Sequence, residues 1–184
     1  MKRTFLINLL FAVGINLLIK PFWVLGVERG VQIAVGAEAY GLYYSLFNFS
    51  FLFNVLLDFG INNYNNTFIA RHPQLLAKKI TQLTLLKGLL AVVYILVTII
   101  AGLSIGYQSV QMKLLLLLCL NQILSFSITF VRSSISGLQR FITDSLLSVA
   151  DRLIMIFFCA ALLWWHVLGD MQITHFVYAQ TLSY

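Results

Sequence analysis

The sequence predicts an all-α integral membrane protein: a polytopic bundle of about five complete transmembrane helices plus the start of a sixth, with a cytoplasmic N-terminus. Of its 184 residues, 60% are hydrophobic and 10% are charged, whereas a soluble domain carries about 25% charged residues. Repeated apolar runs longer than about 18 residues favour helices over the alternating strands of a membrane barrel.

The predicted spans are separated by short polar connections. They comprise residues 4–25, 40–71, 80–103, 114–131 and 142–167, and residues 172–184 begin a sixth helix. Residues 26–39 are predicted as a loop because they carry Glu28, Arg29 and Glu38 together with Gly30 and Gly36. The last segment reaches only about 20 Å as a helix, less than the roughly 30 Å hydrocarbon core. We therefore expect residues 1–184 to form an incomplete N-terminal transmembrane lobe, either a truncated record or a genuine short product.

The basic residues indicate the orientation of the predicted helices. With the N-terminus inside, the cytoplasmic segments hold seven of them: Lys2, Arg3, Arg71, Lys78, Lys79, Arg132 and Arg140. The outer segments hold only Arg29 and Lys113. Because cytoplasmic loops are enriched in lysine and arginine, this asymmetry favours a cytoplasmic N-terminus.

The second predicted span has a polar face in an otherwise apolar helix. Treated as one continuous helix, its polar side chains fall within about 120° of arc. They are Tyr40, Asn48, Asn54, Asp58, Asn62, Asn65 and Asn66. Amides and a carboxylate inside a membrane are costly unless they face protein or water. We therefore expect this helix to line a polar cavity.

The first, third and fifth predicted spans carry the charged residues Lys20, Lys87 and Arg152. In the first span, Lys20 shares one face with Asn16 and Trp23, so its side chain either points into the cavity or extends to the outer interface. The carboxylate of Asp58 is too short to extend in this way, so it is either a cavity group or the partner of a buried cation. The candidate cations for that pairing are Lys20, Lys87 and Arg152.

The fifth predicted span has a charged stripe of its own. Arg140, Asp144, Ser148 and Asp151 recur at helical spacing, and Arg152 lies near the azimuth of Asp144. These side chains either pair within the helix or form a cavity wall that offers a cation to an anionic ligand. A chamber with more cations than acids would favour phosphates.

No motif in the sequence indicates catalysis or a bound metal. The two cysteines lie in apolar runs, the three histidines are far apart in sequence, and no glycine-rich phosphate loop is present. We expect no cofactor, no metal site and no nucleic-acid partner, and no connection is long enough to hold a membrane enzyme's active site.

Several segments resemble one family of membrane transporters. They are the lysine-bearing first helix, GAEAYGLY at residues 36–43, LDFGI at residues 57–61, the basic turn after Arg71, and GLQRFITDSLLSVADRLIMI at residues 137–156. The sequence resembles the N-terminal portion of polysaccharide (O-antigen type) flippases of the multidrug/oligosaccharidyl-lipid/polysaccharide exporter superfamily. The resemblance implies two helical lobes that move undecaprenyl-pyrophosphate-linked oligosaccharide across the bacterial inner membrane by alternating access, for cell-surface polysaccharides such as lipopolysaccharide.

The resemblance also implies roles for individual residues and partners. The pyrophosphate would meet Lys20, with Arg29 and Arg152 as further candidates, and the sugars would occupy the asparagine face of the second helix. The partners would be the lipid-linked oligosaccharide, the bilayer and a C-terminal lobe missing from this chain, with an Na⁺ or H⁺ coupling ion left open. The alternatives are an inactive membrane fragment, or a cation-coupled multidrug exporter of the same superfamily that uses Asp58, Asp144 and Asp151.

Overall fold

A computed structural model describes residues 14, 17, 19, 21–164 and 171–184, with Asp151 and Trp164 described by their backbone only. These residues are almost entirely helical and include no strand, which confirms the predicted helical class. The chain divides into two compact units. One combines Met1–Gly41 with Arg140–Tyr184, and the other is Leu42–Gln139.

The described helices follow one another with short breaks. A π-helical turn, Trp23–Glu28, continues into α1 (Arg29–Val35), and after Gly36 come α2 (Ala37–Leu52), α3 (Val55–Asp58) and α4 (Ile61–Arg71). A 3₁₀ turn, Pro73–Leu75, leads into α5 (Leu76–Ile105), which is followed by α6 (Ser109–Gly137), α7 (Phe141–Trp164) and α8 (Ile173–Ser183). The helix predicted within residues 172–184 is confirmed as α8, and its being the start of a sixth transmembrane helix stays a prediction.

Within the described residues, three helical stretches are long and apolar enough to cross a membrane: Pro73–Ile105, Ser109–Gly137 and Phe141–Leu163. Ala37–Leu52 and Val55–Arg71 together make a fourth if this bent pair is one span. The first predicted span, residues 4–25, lies largely outside the described residues. The total of five helices therefore stays a prediction.

The predicted loop at residues 26–39 is wrong. The chain is helical on both sides of Gly36, which alone interrupts it with a φ of 85°. The charged residues do not interrupt the helix because each lies in a polar environment there. Glu28 accepts a hydrogen bond from the Tyr40 hydroxyl at 2.7 Å, and Arg29 is exposed.

The predicted continuous helix over residues 40–71 is also wrong. It is interrupted after Leu52 and again after Asp58, and its two halves meet at an angle of 45°. At the second break, Phe59 and Gly60 have φ values of 42° and 80°. Two consecutive left-handed residues end a right-handed helix, so azimuths calculated along one helix do not hold across this point.

In the second unit, α4 packs against α6, and α3 packs against α5. One buried cluster joins Leu57, Tyr94, Leu115 and Cys119. Helices α4 and α6 pack tightly at Gly137, where an added Cβ would lie 2.9 Å from the carbonyl oxygen of Asn66. A glycine at this position is therefore required for the two backbones to pack.

In the first unit, α7 packs against α8 and against the π-helical turn. The indole of Trp23 stacks on the ring of Phe176, with 6.3 Å between the ring centroids. Val31 and Cys159 are completely buried. Although α8 is short, it contributes a buried face to this unit.

Candidate functional site

A partly buried ion pair lies at the break between α3 and α4. The ammonium group of Lys87 is 3.8 Å from the Asp58 carboxylate, and the two side chains are 10% and 26% exposed. The same carboxylate oxygen accepts a hydrogen bond from the backbone N–H of Asn62 at 3.0 Å. Since α4 begins at Ile61, Asp58 satisfies a free N–H in its first turn and places negative charge at the positive end of the helix.

Lys87 also joins α5 to α4 and α6. Its ammonium group donates to the side-chain oxygen of Asn62 at 3.2 Å and to the carbonyl oxygen of Phe126 at 3.4 Å. It lies 5.2 Å from the ring centroid of Phe130. A lysine in an apolar helix is costly unless its charge is matched, and here a carboxylate, two oxygens and an aromatic face surround it.

A second set of polar contacts, the amide seam, joins the broken helix to α6. The side-chain amide of Asn54 donates to Gln122 Oε1 at 3.2 Å. The side-chain amide of Asn65 donates to the hydroxyls of Ser133 and Ser134 at 2.7 and 2.8 Å. Asn54 and Asn65 are therefore buried between helices, which corrects the expectation that the whole polar face lines a cavity.

Two acceptors in the amide seam have no hydrogen-bond partner among the described residues. They are the Oδ1 atoms of Asn54 and Asn65. A buried polar atom without a partner costs about 1–3 kcal/mol. This cost offsets part of the stabilisation that the three seam hydrogen bonds provide.

The structure brings together only some of the residues predicted for the cavity. Asp58 and Asn62 both contact Lys87, so the structure pairs Asp58 with Lys87 among the three candidate cations. A role of Asp58 in a substrate cavity stays a prediction. Asn48 is exposed and donates to the carbonyl oxygen of Tyr44 in its own helix at 2.7 Å.

The remaining predicted residues belong to the first unit. The guanidinium of Arg152 lies 5.8 Å from the ring centroid of Trp23, while Arg29 is exposed on α1. Asn16 and Lys20 lie outside the described residues, and only the backbone of Asp151 is described. Their roles in substrate binding stay predictions.

Sequence reasoning missed Gln122, Ser133 and Ser134, and it named Lys87 only as one of three candidate partners of Asp58. A usable signal was present in the spacing. Asn54 and Asn65 are eleven residues apart in sequence, and so are Gln122 and Ser133, which lie about three helical turns apart on α6. Equal polar spacing on two helices is the pattern expected where one pairs with the other.

Comparison with known proteins gives the family. The model of a family described as "Polysaccharide biosynthesis protein" matches residues 31–184. The chain belongs to this family. The matched region includes both the Lys87 site and the amide seam. Neither the comparison with curated proteins nor that with solved structures found a match.

Proposed function

We propose that this chain is the N-terminal lobe of a flippase that moves undecaprenyl-pyrophosphate-linked oligosaccharide across the bacterial inner membrane by alternating access. The observation that carries the proposal is the family match over residues 31–184. Among the residues that the structure describes, the match covers every helix that is long and apolar enough to cross a membrane. Members of the family are typically transporters or flippases rather than enzymes.

The polar break between α3 and α4 supports a transport role. Helices interrupted within the membrane are common near the substrate sites of transporters. In this chain the interruption holds a charged pair between three helices. By contrast, a cation-coupled exporter would need Asp58 to bind and release an ion, and the pairing of Asp58 with Lys87 opposes that role.

Deletion of the gene in the bacterium that encodes this chain tests the proposal. We expect surface polysaccharide to be lost and completed lipid-linked oligosaccharide to accumulate in lipid extracts, because synthesis continues without translocation. Restoring the full gene should reverse both changes. Loss of the lipid-linked oligosaccharide itself would instead indicate a step in its synthesis, and unchanged surface polysaccharide would refute a role in export.

The same strain tests the role proposed for Lys20. A restored gene carrying Lys20→Ala should leave export defective at normal membrane levels of the protein, because the pyrophosphate loses its cation. Lys113→Ala is the control, since Lys113 is an exposed lysine at the start of α6. Full export by the Lys20→Ala variant would remove Lys20 from the binding site and leave the proposed transport function standing.

A further inference from the structure

A narrow groove of about 280 Å³ runs between α5 and α6 in the second unit. Its α5 wall has residues at helical spacing, among them Ile80, Thr84, Gly88 and Ala91. From Ile80 to Ala91 the helix rises about 16 Å, roughly half of the hydrocarbon core of a bilayer. Thr84 and Gly88 are exposed, so the groove is open along this face.

The chemistry of the lining favours hydrocarbon over sugar. Most of the lining side chains are apolar, and two of the polar ones already have partners. Ser127 donates to the carbonyl oxygen of Ile123 at 2.7 Å, and Lys87 is held by Asp58, Asn62 and a carbonyl oxygen of α6. A sugar would find few free hydrogen-bonding groups in this groove.

The N-terminal end of α5, next to the groove-lining Ile80, is basic, although its lysines do not themselves line the groove. Lys78 and Lys79 directly precede Ile80 at the start of α5, and Arg71 ends α4. The ammonium group of Lys79 lies 5.1 Å from the ring centroids of two aromatic residues of α4, which holds the start of α5 against α4. The second unit contains a single acidic residue, Asp58, and it is paired with Lys87. The basic end therefore has no carboxylate of its own unit to neutralise it.

We propose that the groove binds one anionic phospholipid of the bilayer, with an acyl chain between α5 and α6 and the phosphate at Lys78 and Lys79. Basic pockets at the ends of transmembrane helices bind anionic headgroups in this way. An ordinary acyl chain suits a groove of this length, whereas an undecaprenyl chain is far longer. The proposal does not depend on the proposed transport function, although Lys87 belongs both to the wall of the groove and to the candidate site.

Lipid binding by the purified full chain tests the headgroup contact. Delipidated protein is mixed with phosphatidylglycerol or phosphatidylcholine of identical acyl chains, and bound lipid is counted by native mass spectrometry. We expect one phosphatidylglycerol per chain and much weaker binding of phosphatidylcholine. Lys78→Gln combined with Lys79→Gln should weaken phosphatidylglycerol binding roughly 25-fold, at about fivefold per lysine, while Lys113→Gln should leave it unchanged. Equal binding of the two lipids would overturn the proposal.

A second pair of variants tests the groove. A Cβ at Gly88 would meet no atom within 4 Å, so Gly88→Leu fills the groove without a backbone clash and should abolish the bound lipid. Gly41→Leu is the matched control, because a Cβ at Gly41 also has no neighbour within 4 Å and Gly41 does not line the groove. If circular dichroism shows lost helix in Gly88→Leu, Thr84→Phe on the same wall replaces it.

Two further outcomes would overturn the assignment. Undiminished phosphatidylglycerol binding by the folded groove variant would place the lipid elsewhere on the protein. Displacement of phosphatidylglycerol from the wild-type protein by undecaprenyl phosphate at lower concentration would assign the groove to the transported lipid instead. Neither result bears on the gene-deletion test of transport.

Discussion

The Asp58–Lys87 ion pair predicts that substitutions of its two residues have non-additive effects on the stability of the second unit. Asp58→Asn leaves a lysine that is 10% exposed without its carboxylate, and Lys87→Met leaves a carboxylate that is 26% exposed without its cation. The variant with both substitutions leaves neither charge. The double variant should therefore be more stable than the sum of the single effects predicts.

The size of this coupling follows from the geometry. Two unit charges 4 Å apart attract by about 4 kcal/mol at an effective dielectric constant of 20, and the observed separation is 3.8 Å. Desolvation and the exposure of Asp58 reduce the net value, and interhelical polar contacts in membrane proteins have measured couplings of up to about 1.7 kcal/mol. We expect each single variant to lose about 2 kcal/mol and the coupling to be about 1.5 kcal/mol.

Reversible unfolding in mixed micelles measures this coupling. The wild type, the two single variants and the double variant are titrated with sodium dodecyl sulfate, and helix content is followed by circular dichroism. Lys113→Met is the control and should change stability by less than about 0.5 kcal/mol, because Lys113 is exposed. Single effects that add to within about 0.5 kcal/mol would refute an energetically significant pair.

Two further predictions use the same unfolding assay. Asn65→Ala should lower the free energy of unfolding by about 1–2 kcal/mol, because it removes two hydrogen bonds to serine hydroxyls of α6. Asn63→Ala, on the exposed side of α4, is the control and should change stability little. Equal effects of the two substitutions would refute a stabilising seam. Gly137→Ala should lose about 1–3 kcal/mol by overpacking, because its Cβ would lie 2.9 Å from a carbonyl oxygen of α4. Gly88→Ala has no such contact and should be neutral or slightly stabilising, so similar losses in both variants would contradict the close approach.

Hydropathy predicted the long helices well because their apolar runs are uninterrupted. Residues 80–103 and 114–131 fall inside α5 and α6, and each observed helix is longer by a few residues at both ends. Helix ends in polar flanks are set by capping and turn geometry, as where Gly106 ends α5 with a φ of 89°. Hydrophobicity carries little information about such ends.

The candidate site was harder to predict because it depends on a local backbone conformation. The LDFGI motif is visible in the sequence, but its glycine does not serve close packing, because a Cβ at Gly60 would meet no atom within 4 Å. The role of Gly60 is instead its positive φ, shared with Phe59. A periodicity analysis assumes a straight helix, so it could identify the polar residues but could not assign each to its neighbour.

The partner of Asp58 illustrates the same limit. Sequence alone left three cations as candidates, because charge and burial cost are alike for all of them. The fold selects Lys87 because α3 packs against α5, a contact between elements that are distant in sequence. Pairings of this kind depend on tertiary packing, which the pattern of a single helix does not contain.

The amide seam has a consequence for how the helices find their relative positions. Leucine and phenylalanine surfaces slide past each other in lipid at little cost, so apolar contact alone does not align two membrane-inserted helices. A shift by one turn, about 5.4 Å, would separate Asn54 from Gln122 and Asn65 from its two serines together. The two groups of hydrogen bonds in the seam therefore fix the register of α6 against α3 and α4 along the helix axis.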